Sequence, residues 1–155
     1  MAKPSIQDDT IIAAIKTRFE AITAGVDYYT TFDNVYDNFP NVASIEKAAT
    51  KVINLRDTSE DKLGEASEAS QQLDDIDMLV EIDIIARGTE AANIRKMKAD
   101  ILKSIGTDLT WSAAAFHTVY VGSQRNRKDA YGNFISDLTI TIGIQYRKNA
   151  WSDDG

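Results

Sequence analysis

From Phe134 to Tyr146 the chain alternates residue by residue: Phe134, Ser136, Leu138, Ile140, Ile142, Ile144 and Tyr146 against Ile135, Asp137, Thr139, Thr141, Gly143 and Gln145. Such alternation predicts a strand with one face on a core and one face polar. Unbent, at about 3.3 Å per residue, it would reach roughly 40 Å, so Gly143 is expected to mark a bulge or bend. The rest of the chain reads as built against this strand.

Ile11, Ile12, Ile15, Phe19 and Ile22 recur at helical spacing, predicting a helix over 9–24 capped by Asp8 or Asp9 and ended by Gly25. The β-forming run Tyr28–Phe32 predicts a first strand, with a continuation to Tyr36 left open, closed by Pro40; Ser44–Thr50 could form a helical turn, and Lys51–Arg56 a short second strand. Met78, Val80, Ile82, Ile84 and Ala86 alternate with Asp77, Glu81 and Asp83 in a third strand. Gly88 and Thr89 introduce a second helix with Ile94, Met97, Lys98, Ile101, Leu102 and Ile105 inward and Gly106 at its exit. Phe116–Gly122 is a fourth strand, and the turn-rich Ser123–Asn133 makes a hairpin with the last.

Helices and strands do not alternate regularly, which excludes a doubly wound parallel sheet. The expected fold is α+β: a mostly antiparallel mixed sheet of four to five strands, with two amphipathic helices on one face. At 155 residues the chain reads as a single domain. Within it, 57–75 is too polar for a core and reads as a mobile excursion, and 152–155 as a flexible tail.

Charge narrows the function. A net −7 argues against a DNA binder that reads sequence, because such affinity comes largely from neutralising phosphates. Without cysteine there are no disulfides or thiolate metal sites. The N-terminus lacks a signal-peptide run and no stretch is long enough to span a bilayer, so neither export nor membrane insertion is expected.

Catalytic patterns are sparse. His117 lacks the partners of a metal site, no nucleophile elbow surrounds any serine, and no phosphate-cradling glycine motif occurs, so no cofactor is expected. Asp74, Asp75, Asp77, Glu81 and Asp83 are the densest carboxylate cluster. They could serve as an acid–base pair or hold a divalent cation. On a strand, though, Asp77, Glu81 and Asp83 would repel one another on one solvated face, which Asp137 extends. Arg125, Arg127 and Lys128 concentrate positive charge near a hairpin tip that includes Tyr131. These residues and Trp151 are candidate subunit or partner contacts.

The opening helix IIAAIKTRFEAI, the strand DMLVEIDIIARG running into the helix ANIRKMKADILKSI, the turn TDLTW and the terminal DLTITIGIQYRKNAW together resemble the tail terminator (tail completion) proteins of long-tailed bacteriophages. The resemblance covers about Thr10 to Trp151 and lies in layout rather than in a catalytic motif. It implies a structural, non-enzymatic virion protein, assembled in the host cytoplasm and placed at the head–tail junction. Copies would form a ring, usually hexameric, on the last ring of tail tube protein, stopping tube growth and meeting the head–tail connector protein. Genomic DNA would pass through without sequence-specific binding, past a lumen that Asp77, Glu81, Asp83 and Asp137 could line. A connector or stopper subunit shares this layout. A monomeric binding module using Arg125–Lys128, or a carboxylate-dependent hydrolase using Asp74–Asp83, are readings of other classes.

Overall fold

A computed structural model of the chain describes residues 6–39, 51–63, 73–86 and 88–149. Seven elements follow in order: α1 (Gln7–Glu20), β1 (Asn34–Asp37), β2 (Val52–Lys62), β3 (Leu73–Ile85), α2 (Ala91–Gly106), β4 (His117–Lys128) and β5 (Phe134–Asn149). The strands form one sheet in the order β1-β2-β3-β5-β4. β1 runs parallel to β2 and every other pairing is antiparallel. This is the α+β mixed sheet expected from the sequence.

The core lies between the two helices and one face of the sheet. Met78, Val80, Ile82 and Ile84 of β3 stand across from Ile144, Ile142, Ile140 and Leu138 of β5, and all are buried. Ile11, Ile15 and Phe19 of α1 and Ile94, Met97 and Ile101 of α2 close over them. A fully buried side chain of this kind contributes roughly 1.5–3 kcal/mol over an exposed one, so this layer dominates stability. Among the described residues no helix packs on the opposite face. There, Val52 and Ile85 form a small second apolar cluster with Tyr36, Phe39 and Phe134.

α1 is shorter than predicted. Ile6 precedes it without a side-chain cap, and Asp8 and Asp9 lie inside the first turn, where the helix dipole favours negative charge. It ends at Glu20 by tightening its last turn, with Ala21 N–H donating to Arg18 O at 3.2 Å. Gly25 is not its cap but donates to Tyr28 O at 2.9 Å. Tyr28–Phe32 is not a strand either, because its backbone is satisfied elsewhere. Tyr29 N–H donates 3.1 Å bonds to both oxygens of the buried Asp100 of α2, and the first strand follows at Asn34. At α2, Glu90 rather than Thr89 occupies the cap position.

Two strands extend into sequence that reads as loop. β2 continues through Asp57–Lys62 and β3 begins at Leu73, so strand claims both flanks of the predicted excursion. Ion pairs and hydrogen bonds replace apolar contacts here: Lys62 Nζ to Asp74 at 3.0 Å, Lys148 Nζ to Glu60 at 2.5 Å, and the Tyr146 hydroxyl to Glu60 at 2.9 Å. Likewise β4 runs on to Lys128, leaving only Asp129–Asn133 as the hairpin turn. The helical turn predicted at 44–50 and the 152–155 tail lie outside the described residues.

The long strand departs from its predicted parity at one end. Alternation holds from Leu138 to Tyr146, but Phe134 packs with Val52 and Ile85, and Ser136 Oγ lies 2.6 Å from Thr139 Oγ1. Both therefore belong to the polar face. The facing strand twists at the same level, where Asn126 is left-handed at φ 50° and the register shifts between Arg127 and Lys128. Asp137 Oδ2 meanwhile accepts from Ala86 N–H at 2.7 Å, standing in for a strand partner just past the end of β3. Gly143 makes no bulge. It sits in register between Leu79 and Val119, and the irregularity lies in β4 between Tyr120 and Gly122, across from Ile142 and Thr141. Its role is close approach: a Cβ there would meet Asp77 Oδ1 at 3.1 Å.

Candidate functional site

The carboxylates of β3 do not stand as a row of repelling charges. Arg56 on β2 donates from Nε to Asp83 Oδ2 at 2.6 Å and from one guanidinium nitrogen to Glu81 Oε2 at 2.5 Å. Arg127 reaches the same Glu81 oxygen from β4. Thr139 Oγ1 donates to Asp83 Oδ1 at 2.6 Å, and Asp83 is 0% exposed. Farther along, Asp75 pairs with Arg147 at 2.8 Å and Asp74 with Lys62. The solvated acidic face is thus corrected to a charge-matched one, with Asp83 a buried, satisfied carboxylate. Hydrogen bonding and attraction from Asp83, with Glu81 adding to them, raise the Arg56 pKa above its ordinary value. Neutralising partners one or two strands away make this outcome possible, because burial of an ion is tolerated only when it is paired and hydrogen-bonded.

Of the four residues predicted for an acidic lumen, Asp77 and Asp137 are half-buried and outside the ion pairs, and Asp77 lies against Gly143. Asp137 is committed to the Ala86 backbone, Glu81 bridges two arginines, and Asp83 is buried.

The hairpin tip is built by Asp129. Its carboxylate accepts from Tyr131 N–H and Asn133 N–H, each at 2.8 Å, and from Asn133 Nδ2 at 3.0 Å, which holds its pKa below the usual carboxylate value. Gly132, at φ 81°, supplies the left-handed step of the turn. Tyr131 projects from this frame at 91% exposure. Arg125 and Lys128 are exposed, whereas Arg127 is drawn onto the sheet face by Glu81. The predicted basic cluster is therefore divided, two cations facing out and one spent within the fold. Trp151 lies outside the described residues.

β4 is an edge strand, hydrogen-bonded to β5 alone. Its first half carries the exposed apolar side chains Val119 and Val121, with Phe116 just before it and Arg147 5.3 Å over the Phe116 ring. Its second half is charged. Strand edges left open are normally guarded by charge, bulges or short length, and the apolar half of β4 has only the irregularity at Tyr120–Gly122. The opposite edge is the four-residue β1, bordered by a shallow groove of about 480 Å³ that Lys16, Glu20, Phe32 and Asp33–Asp37 line.

Sequence reasoning missed Arg56, and in the turn TDLTW after α2 it missed the left-handed backbone and the role of Asp108. In that turn Trp111, Ser112 and Ala113 are all left-handed, with φ of 52°, 60° and 66°. Asp108 holds them, accepting from Thr110 N–H and Oγ1 and from Ser112 N–H, the last at 2.7 Å, with Arg18 beside it. Those bonds push its pKa far below the usual carboxylate range. The signal available for Arg56 was its place at the end of the apolar run KVINLR, where a charge needs a partner.

His117 is exposed at the start of β4, and among the described residues no group of three or more metal-ligating side chains comes together. No described helix is long and apolar enough to cross a membrane. No protein-family model matches the chain, and no curated protein matches it.

Proposed function

We propose that the chain is a structural subunit of the tail-terminator kind. Copies of it form a ring on the end of a phage tail tube, stop tube growth and offer a surface to the head–tail connector. One observation carries this reading: among the described residues, a five-stranded sheet has helices packed on one face only, and its outer strands, β1 and β4, each pair on one side. A ring requires two different, complementary surfaces on one subunit, and a sheet with two unlike edges supplies them. The layout shared with tail terminators adds the position at the neck.

The charge-matched face suits a passage for DNA differently from an acidic one. Arg56 and Arg127 are spent on carboxylates, so the face offers phosphates few free cations and little net repulsion. Incubation of gold-tagged protein with purified tail tubes tests the assignment. Label at one tube end supports it; label along the walls, or none on tubes, overturns it.

A further inference from the structure

We infer that the outward face of α2 holds the phosphate backbone of duplex DNA without reading its sequence. This surface lies outside the tail-terminator reading and does not depend on it. α2 carries four cations, Arg95, Lys96, Lys98 and Lys103, and its one carboxylate, Asp100, is buried. Arg95, Lys96 and Lys103 are exposed and Lys98 is half-buried. Arg95, Ala99 and Lys103 follow one line of the helix at four-residue steps, so the two outer cations stand about 12 Å apart along its axis. To one side Lys96 Nζ lies 5.6 Å from the Tyr29 ring. To the other, Lys98 Nζ lies 5.9 Å from the Tyr120 ring and donates to Ser123 Oγ at 2.9 Å. The cations thus span the width of the helix, and exposed Ala91, Ala92 and Ala99 keep its surface low between them.

These charges are not spent within the fold. Among the described residues Arg95, Lys96 and Lys98 make no ion pair, and Lys103 meets Asp27 at 3.4 Å with both side chains more than half exposed. Glu90, exposed just before the helix, also borders this face. In a chain of net −7 the face is a local reversal of sign, and a duplex, with one negative charge per roughly 1.7 Å, is the line charge that such a row matches. Carboxylates on a protein surface are spaced or paired, as Glu81 and Asp83 are here, whereas phosphates form a continuous row. The lysines also lie over the tyrosine ring faces, Lys103 at 5.2 Å from Tyr28. Those rings therefore position ammonium groups and are not free to stack the bases of a single strand.

Fluorescence anisotropy of a labelled duplex of about 20 base pairs, at about 50 mM salt, tests this. Wild type is expected to bind two unrelated duplexes equally, and each more tightly than its separate strands. Log affinity should fall with log salt at a slope of about −3 to −4, as four phosphate contacts require. Arg95→Gln with Lys96→Gln should weaken binding about tenfold or more and reduce that slope by about two. Lys16→Gln with Arg147→Gln removes the same charge from cations already paired with Glu20 and Asp75, and should change neither. Circular dichroism confirms the fold of each variant. Failure of wild type to bind, α2 variants that bind as wild type does, or a control that weakens as far as they do would overturn the inference. So would single strands bound as tightly as duplex. Competition by polyglutamate as effective as that by unlabelled duplex would overturn it in favour of an acidic protein partner.

Discussion

Arg56 Nε lies 2.6 Å from Asp83 Oδ2, joining β2 to β3 on the sheet face opposite α1 and α2. The carboxylate is wholly buried, while the arginine remains partly open to solvent. Removing the cation strands the anion, and breaking a buried pair from one side typically costs about 3–5 kcal/mol. Arg56→Met should therefore destabilise the fold by that order. Arg56→Met combined with Asp83→Leu should recover much of the loss. Urea midpoints across this double-mutant cycle measure it, and additive losses would show that the pair is not coupled.

Trp111 ties the turn after α2 to the core. Its indole Nε1 donates to Thr118 Oγ1 at 2.8 Å, the Arg18 guanidinium stacks 4.0 Å above it, and Phe19 meets it edge-on. Trp111→Phe keeps an aromatic ring, though a smaller one, but loses the donor, and is expected to cost about 1–3 kcal/mol. Trp111→Ala also opens a cavity and should cost about 3–5 kcal/mol. Thermal unfolding of both variants gives the comparison.

Ala113, left-handed at φ 66°, carries a Cβ where glycine would be unstrained. Ala113→Gly should stabilise the protein by about 0.5–1 kcal/mol, the reverse of the usual sign for that change. A lowered urea midpoint would show that the turn is not held in this conformation.

The same turn gives stability an acid limb. The Asp108 pKa is depressed below its ordinary 3.8 by bonds from Thr110 and Ser112. A group bound more tightly as the anion in the folded state contributes stability above its unfolded value, and loses it as pH falls through the folded one. Stability from this residue should be constant from neutral pH down to about 4–5 and decline below that. Asp108→Asn should flatten that limb, as followed by urea midpoints between pH 7 and pH 2.

How much was legible follows the packing. The stripes Ile11–Phe19 and Ile94–Ile105, and the alternations Met78–Ile84 and Leu138–Tyr146, each face one continuous core, so periodicity reports them. Asp57–Lys62 and Ser123–Lys128 are strand without a buried face, held by backbone pairing and by ions such as Lys148 with Glu60. Polar sequence carries no two-residue period for such strands. Tyr28–Phe32 misleads in the other direction: its side chains favour a strand, but the Asp100 carboxylate takes the Tyr29 N–H. The pairing of Glu81 and Asp83 with Arg56 was hidden by distance along the chain, since Arg56 meets them only through the β2–β3 register. The division of Arg125, Arg127 and Lys128 likewise depends on the twist at Asn126, which nothing in the local composition announces.

The most direct test of the terminator reading is the distribution of tail lengths in phage particles assembled without this chain. The account predicts tubes of unregulated, often excessive length that fail to join heads, with uniform length restored when the chain is supplied. Tails of normal length joined to heads in its absence would contradict it.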